Sequence, residues 1–220
     1  MPSIRAANDD DLTTVADLLV QLYEDECPGI FSGSRDASLR LIRSLVRENE
    51  SVVRDGLVLD SPDGIIAYGA VSTSTFPRRR PSMAMVGAQA LSFLGVRAAA
   101  EFCWAYSRLQ NLVCAPLPPM TAQVHSLVVH PRARGNGYGE LLFRTMEDTA
   151  RQGGHHDALL YVLAGNPARR LYARLGYQVV PTPTLPGVPA LLRYPGIAMR
   201  KPFREALAMA GSVPDIAGTA

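Results

Sequence analysis

Residues 124–142 read VHSLVVHPRARGNGYGELL and form the most informative stretch of the chain. The apolar run at its start predicts a strand, and the residues after its last glycine have the spacing of a helix. Between them lie three glycines at alternate positions, Gly135, Gly137 and Gly139. Glycines allow a turn in which successive N–H groups point into one concavity, and the helix N-terminus adds its positive dipole. The connection therefore predicts a diphosphate site, with Arg134 as a charge-assisted contact.

Two common phosphate-binding patterns do not fit this loop. The Walker pattern needs a lysine after its last glycine, and the residue after Gly139 is Glu140. The dinucleotide pattern G-x-G-x-x-G, started at Gly135, has Glu140 where its third glycine belongs. The spacing R-x-x-G-x-G, formed by Arg134, Gly137 and Gly139, is a third signature, and it resembles the acetyl-CoA loop of the GCN5-related N-acetyltransferase (GNAT) superfamily. An ordinary glycine-rich connection is the alternative.

A downstream stretch strengthens the resemblance. Residues 166–177, NPARRLYARLGY, are similar to the family's segment N-x-x-A-x-x-L-Y-x-x-x-G-[FY], with one residue fewer between the asparagine and the alanine. The strand before the loop also has the family's Leu-x-Val-x-Pro, as Leu127, Val129 and Pro131. By itself the downstream stretch predicts a helix that Asn166 caps and Gly176 ends. The resemblance implies in addition that Asn166 contacts the pantetheine arm and that the Tyr172 hydroxyl protonates the departing thiolate, with a packed core tyrosine as the alternative.

The resemblance also implies a fold and a reaction. The fold is α/β (α+β), a mixed and partly splayed β-sheet flanked by helices, with acyl-CoA wedged between two strands. The reaction is transfer of an acetyl group from acetyl-CoA, the cosubstrate, to an amine by direct attack in a ternary complex. A catalytically inactive CoA-binding regulatory module is the alternative, and an unrelated nucleotide-phosphate binder is a third possibility.

The expected contacts to acetyl-CoA come from one strand, the loop and the downstream helix. The backbone of Leu127–Val129 would pair with the pantetheine arm, and the N–H of Leu127 or Val128 would polarise the thioester carbonyl. The full set is Leu127, Val128, Val129, Arg134, Gly135, Asn136, Gly137, Tyr138, Gly139, Glu140, Asn166 and Tyr172.

His125 is the predicted catalytic base. In a regular strand His125, Leu127 and Val129 share one face, which directs the imidazole to the place where thioester and amine meet. An imidazole titrates in the range that the task requires. A hydrogen-bonded histidine in the sheet is the alternative, and some members of the family use ordered water. Three acidic residues at the end of the first helix are a further contact for an amine, although a solvated helix end is the favoured interpretation: Glu24, Asp25 and Glu26.

Periodicity along the rest of the chain predicts strands that alternate with helices. The predicted strands are 3–6, 51–59, 65–75, 123–129, 158–162, 177–180 and 197–200, and residues 60–64 make the second and third into a hairpin. The predicted helices are 12–22, 39–46, 139–151 and 167–175. Prolines at both edges mark 76–120 as a helical insertion between the third and fourth strands, with one or two helices in 82–113. Residues 1–203 are predicted to form a single domain, followed by a tail over 204–220.

Composition sets the remaining expectations. The chain has 220 residues, 47% of them hydrophobic, and a net charge of +2, which disfavours a nucleic-acid partner. Three cysteines at irregular spacing indicate neither a disulfide framework nor a metal site. The N-terminus does not resemble a signal peptide, and the uncharged stretch 81–96 is too short to span a membrane. A cytoplasmic enzyme is expected, with a small-molecule amine or a protein amine as substrate. Residues 83–106 are expected to be core or homodimer face, with a substrate lid as the less favoured alternative.

Overall fold

A computed structural model describes residues 2–27, 29–77, 80–181 and 196–203. The strands of this part of the chain are β1 (Ser3–Ala6), β2 (Gly56–Ser61), β3 (Gly64–Thr73), β4 (Thr121–Val129), β5 (Asp157–Leu163), β6 (Gln178–Val180) and β7 (Gly196–Pro202). Its α-helices are α1 (Leu12–Glu26), α2 (Arg35–Arg47), α3 (Ser51–Arg54), α4 (Met83–Leu94), α5 (Val96–Val113), α6 (Tyr138–Gln152) and α7 (Arg169–Arg174). The predicted tail 204–220 lies outside the described residues.

The strands form one sheet in the order β1-β2-β3-β4-β5-β7-β6. All neighbours are antiparallel except β4 and β5, which run parallel. Their pairing extends only from Thr121–Gln123 to Asp157–Leu159, and beyond it the two strands move apart. The predicted mixed and partly splayed sheet, with a helical insertion between the third and fourth strands, is thereby confirmed. The prediction of one domain over 1–203 stays a prediction.

Helices cover both faces of the sheet, and each face has its own apolar core. On one face α1, α2, α4 and α5 pack over the sheet, with Tyr68 and Val128 as buried strand residues. On the other face α6 and α7 pack over it, with Phe143 and Leu142 as the largest side chains that α6 buries completely. The alternation of strand side chains between two apolar layers is the pattern expected of a sheet buried on both sides.

The predicted strand over 51–59 is wrong in its first half, because residues 51–54 form α3 and β2 begins at Gly56. Asn49 Oδ1 accepts hydrogen bonds from the backbone N–H of Ser51 at 3.2 Å and from its hydroxyl. The helical turn buries Val52 in the core. A Cβ at Gly56 would lie 2.2 Å from the carbonyl oxygen of Val52, so glycine lets the strand start directly against the turn.

The insertion is part of the core. In α5, Phe102 is completely buried, and its ring stacks on Tyr106 at 5.1 Å and on Phe31 at 5.7 Å between centroids. Tyr23 of α1 meets the edge of the Tyr106 ring at 6.4 Å. These contacts fix α5 against α1, which bears the side chains of the site described next.

Candidate functional site

The glycine-rich loop turns directly into α6. Gly135 and Gly137 have φ of +82° and +79°, in the left-handed region that favours glycine. The helix hydrogen bond from Leu141 N to Gly137 O is 3.0 Å long. The N–H groups of the three preceding residues therefore have no partner within the helix. Those groups, from Tyr138, Gly139 and Glu140, form the positive end of α6.

Two contacts hold the loop in shape. The Asn136 side-chain amide donates to the carbonyl oxygens of Ala133 and Arg134, both at 3.2 Å. A Cβ at Gly139 would lie 3.4 Å from Cγ2 of Val129, an ordinary van der Waals distance, which shows that α6 begins close to the end of β4. The predicted anion cradle thus has an ordered backbone, and it lies beside the splayed strand.

A cleft of about 550 Å³ occupies the space where β4 and β5 separate. Its walls come from β4, the loop after β5, the end of α1, the glycine-rich loop and α7. The residues lining it are Leu22, Asp25, Glu26, Leu127, Val128, Val129, Arg134, Gly139, Leu163, Gly165, Asn166, Pro167, Ala168, Leu171 and Tyr172. Seven of the twelve predicted acetyl-CoA contacts are among them, and the other five belong to the adjoining loop and the first turn of α6.

The open edge of β4 offers backbone groups to the cleft. His130 N donates to Ile66 O of β3 at 2.8 Å. Hydrogen-bonding direction alternates along a strand, so Val128 turns its N–H toward β3, whereas Val129 turns its peptide groups to the open side. The carbonyl oxygen of Val129 there accepts from Arg134 Nε at 3.0 Å.

Arg134 also bridges the mouth of the cleft. Its Nη2 lies 2.5 Å from Oδ2 of Asp25 at the end of α1. Both side chains are partly exposed, at 45% and 42%. The guanidinium therefore lines the cleft while paired with a carboxylate, and an anion bound by Arg134 would compete with that carboxylate.

Glu26 is the residue that sequence reasoning misjudged, because a solvated helix end was the favoured interpretation. The side chain is half-buried and lines the cleft. The pKa of its carboxyl is raised from 4.5 to about 7. Burial is the main cause, a hydrogen bond from Asn166 opposes the rise, and the charge of Asp25 adds to it. A signal was present in the sequence: Glu26 follows Leu22 by four residues and so continues the apolar stripe of α1.

Asn166 and Tyr172 face the cleft from the opposite wall. Asn166 Nδ2 donates to Glu26 Oε1 at 2.8 Å, and its Oδ1 accepts from Ala168 N at 2.8 Å, which holds the turn that leads into α7. Tyr172 is 8% exposed. Burial, and secondly the charge of Glu26, raise the pKa of the phenol, so the hydroxyl keeps its proton at neutral pH.

A second, smaller cavity of about 60 Å³ adjoins the cleft. The two cavities have five lining residues in common: Leu22, Glu26, Leu127, Leu163 and Tyr172. The second cavity reaches further between the sheet and α5, where its walls include Leu109, Val113, His125 and Tyr161. The insertion therefore supplies part of this wall.

His125 lies in the second cavity, but the prediction that it shares a face with Leu127 is wrong. Ser126 has φ of +57°, and the β3–β4 register shifts between the pairs Tyr68–Val128 and Ala70–His125. The extra residue is a β-bulge, and it reverses the alternation of faces beyond it. Leu127 accordingly packs with the α6 core, whereas His125 faces α1 and α2.

Both ring nitrogens of His125 have hydroxyl partners. Nε2 lies 2.8 Å from Ser72 Oγ, and Nδ1 lies 3.0 Å from Ser126 Oγ. Ser72 in turn donates to Asp55 Oδ2 at 3.2 Å. A hydroxyl that donates to Asp55 accepts from the imidazole, which assigns the Nε2–H tautomer and leaves Nδ1 as the acceptor from Ser126.

The structure also bears on metals and membranes. Among the described residues no group of three or more His, Cys, Asp or Glu side chains is arranged to hold a metal ion. No helix in the described ranges has the length and apolar character needed to cross a membrane.

The carboxylate of Glu140 pairs with Arg144 at 2.8 Å and with Arg174 at 3.3 Å. Because the carboxylate is paired, the group that Glu140 can offer to the predicted anion cradle is its backbone N–H.

Comparisons with known proteins identify the family of the central segment. Residues 93–177 match the model of the acetyltransferase (GNAT) family. No curated protein matches the chain.

Solved structures share the fold at low sequence identity. PaiA N-acetyltransferase from Thermoplasma acidophilum in complex with coenzyme A superposes with a TM-score of 0.57 at 14% identity, over 92% of this chain and 99% of that one. A GCN5-related N-acetyltransferase from Kribbella flavida gives 0.55 at 19%, over 92% and 98%. Ribosomal-protein-alanine N-acetyltransferase from Brucella melitensis gives 0.57 at 18%, over 91% and 99%. Residues 93–177 are thus a GNAT-family segment, within a chain that has the fold of solved GNAT acetyltransferases.

Proposed function

We propose that the protein transfers the acetyl group of acetyl-CoA to the nitrogen of an amine by direct attack in a ternary complex. The observation that carries the proposal is the cleft between β4 and β5, whose lining includes both the start of α6 at Gly139 and the buried side chain of Tyr172. A cleft with an anion cradle at one end and a proton donor at the other suits a long ligand with a diphosphate and a thioester. The family match of residues 93–177 supports the same reaction class.

Different groups of the chain bind different parts of acetyl-CoA. The N–H groups of residues 135–140 and the guanidinium of Arg134 hold the diphosphate. The outward peptide groups of Val129 pair with the pantetheine arm as an added strand would, and Asn166 closes the arm from the other wall. Of the two N–H groups considered for the thioester carbonyl, that of Leu127 is the better donor, because Val128 directs its own toward β3.

Tyr172 is the proposed acid for the leaving thiolate. A phenol with a raised pKa is protonated at neutral pH, so it has a proton to give. Its ring packs between Phe143 and Tyr177, at 5.1 and 6.3 Å between centroids, which fixes the direction of the hydroxyl. Tyr172 can therefore both pack in the core and serve as the acid.

The acceptor amine is proposed to reach the thioester through the second cavity. That cavity meets the cleft at Glu26 and Tyr172, next to the proposed place of the thioester. A volume of about 60 Å³ suits an amino group on a narrow stem, which both small amines and protein amines possess. The cytoplasmic location, the homodimer and the absence of a nucleic-acid partner stay predictions from the sequence.

Calorimetry and a thiol assay test the proposal together. We expect CoA and acetyl-CoA to bind with measurable heat, and acetyl-CoA with a panel of primary amines and peptides to release free CoA. Binding without thiol release for any acceptor would favour the inactive CoA-binding module. Thermal stabilisation by ATP or NAD, but not by CoA, would refute the assignment of the cradle.

A further inference from the structure

We propose that Glu26 is the catalytic base, the group that takes the proton from the acceptor amine. This inference rests on the proposed function and names the residue that completes it. Sequence patterns pointed to His125 instead, and nothing in the GNAT-like motifs of residues 124–142 and 166–177 includes α1. The assignment comes from where the fold places the end of that helix.

Position is the first argument. Glu26 lines both the cleft and the second cavity, and of the five residues that do so only Glu26 and Tyr172 have ionisable side chains. A base must reach the amine, and an acid must reach the sulfur, at the point where the two ligands meet. The junction of the two cavities thus holds one carboxylate and one phenol, which suit these two roles.

The surroundings of Glu26 are the second argument. From its own helix Asp25 faces it, from the loop after β5 Asn166 donates to Oε1, and from α7 Tyr172 interacts with its charge. Arg134 of the glycine-rich loop pairs with Asp25, and His125 and Tyr161 lie further along the second cavity. A carboxylate that burial makes more basic than usual, with one oxygen fixed by Asn166, is poised to accept a proton at neutral pH.

His125 is less well placed for the same task. Its two nitrogens are bound to Ser72 and Ser126, and the bulge at Ser126 turns its ring to the α1 and α2 side. The ring lines the second cavity without reaching the cleft. The contacts of His125 resemble those of a residue that shapes the acceptor cavity.

The acyl transfer involves these two groups, Glu26 and Tyr172, and two substrates, an acyl-CoA and a primary amine. The amine nitrogen forms a bond to the acyl carbon, and the carbon–sulfur bond breaks. One proton passes from the nitrogen to a carboxylate oxygen of Glu26, and one passes from the Tyr172 hydroxyl to the CoA sulfur. Transfer of a proton from Glu26 to Tyr172 then restores both residues.

The test is the pH dependence of kcat/KM for ethylamine and 2-phenylethylamine at saturating acetyl-CoA. Alkylamines have pKa values close to that of lysine, about 10.4, so the free amine rises about tenfold per pH unit between pH 5.5 and 8.5. We expect log kcat/KM of the wild-type protein to rise with a slope of two below pH 7 and of one above it. In Glu26→Gln the slope should be one throughout, and kcat should fall by about 100-fold or more.

Glu24→Gln is the matched control. Glu24 is on the same helix but pairs with Arg35 at 2.5 Å and lines neither cavity, so the wild-type profile should remain. Calorimetry should give similar CoA affinity for all three proteins, since glutamine can still accept the hydrogen bond from Asn166.

The outcomes separate the two proposals. The role of Glu26 is overturned if Glu26→Gln turns over at the wild-type rate and its log kcat/KM still changes slope near pH 7. It is also overturned if this change of slope is lost only in His125→Gln. Both results leave the proposed function standing. Thiol release with neither amine, together with no heat of CoA binding, would overturn both.

Discussion

Asn166 Nδ2 lies 2.8 Å from Oε1 of Glu26, and this hydrogen bond joins the loop after β5 to the last residue of α1. Both residues line the cleft. The hydrogen bond also opposes the effect of burial, because an N–H that donates to a carboxylate favours the charged form. Burial remains the larger effect, so the folded protein holds a proton on Glu26 more tightly than the unfolded chain does.

That difference predicts how stability depends on pH. Because the pKa of Glu26 is raised from 4.5 to about 7, its contribution to stability is complete below pH 4.5 and is lost as the pH rises through 7. In Glu26→Gln the amide side chain does not titrate in this pH range. We therefore expect the free energy of unfolding of the variant, relative to the wild type, to increase by about 2 to 3 kcal/mol from pH 5 to pH 8. Urea unfolding at both pH values measures it.

The control for this comparison is Glu24→Gln, since Glu24 is outside both cavities. Its curve should run parallel to the wild-type curve. An unfolding free energy of Glu26→Gln that keeps a constant difference from the wild type across the range would contradict the raised pKa.

The pair Arg134–Asp25 predicts a variant with tighter binding. In the described structure Arg134 Nη2 contacts Asp25, so a diphosphate competes with that carboxylate for the guanidinium. Partly exposed ion pairs contribute up to about 1 kcal/mol. Asp25→Asn should therefore bind CoA about two- to fivefold more tightly, as measured by calorimetry.

Asp36→Asn provides the matched loss of one negative charge. Asp36 pairs with Arg40 on α2 and does not line the cleft, so its affinity for CoA should stay at the wild-type value. In the background Arg134→Ala, the gain from Asp25→Asn should shrink. An equal gain in both backgrounds would mean that Asp25 acts on the ligand and not through Arg134.

The geometry of the glycine-rich loop could be predicted from the sequence because it depends on neighbouring residues. The glycines, Arg134 and the start of α6 are consecutive, and backbone conformation there follows from residue type. The alternation of strands and helices likewise follows from the spacing of apolar residues. Residues 51–54 were the exception, because a short apolar run with two valines fits a buried helical turn as well as a strand.

The proposed acceptor side depends on tertiary contacts that the spacing of apolar residues does not reveal. The bulge in β4 has no sequence signature, because serine is an unusual residue at a φ of +57°. The extra residue turns His125 away from the face of Leu127. Glu26 becomes important only because α1 ends against the loop that holds Asn166. The misjudged positions of His125 and Glu26 therefore both concern where a side chain points after the sheet has formed.

Replacing Gly137 tests the anion cradle directly. At φ of +79° a β-branched residue is strained, and a Cβ there would meet no protein atom within 4 Å. We expect Gly137→Val to cost about 1 to 3 kcal/mol of stability and to weaken CoA binding at least tenfold, because the side chain distorts the turn that aims the N–H groups. Calorimetry with CoA gives the affinity, and thermal unfolding gives the stability.

Gly95→Val separates strain from binding. Gly95 precedes α5 with φ of +77° and also has no atom within 4 Å of a Cβ, but it is remote from the loop in the chain and lines no part of the cleft. We expect a loss of stability at least as large, with normal CoA affinity, because φ of +77° with ψ of 172° is a region that is essentially restricted to glycine. If both variants bind CoA equally, the loop is not the cradle.

Two further glycines predict opposite effects of the same substitution on stability. A Cβ at Gly56 would lie 2.2 Å from Val52 O and 2.8 Å from the Tyr68 ring, and the backbone oxygen cannot move without unwinding α3. Gly87 lies inside α4 with no atom within 4 Å of a Cβ, so alanine there only lowers the entropy cost of the helix. Gly56→Ala should destabilise by about 3 kcal/mol or more, and Gly87→Ala should stabilise by about 0.5 to 1 kcal/mol. Urea unfolding compares them, and a Gly56→Ala variant as stable as the wild type would mean that β2 does not start directly against the helical turn.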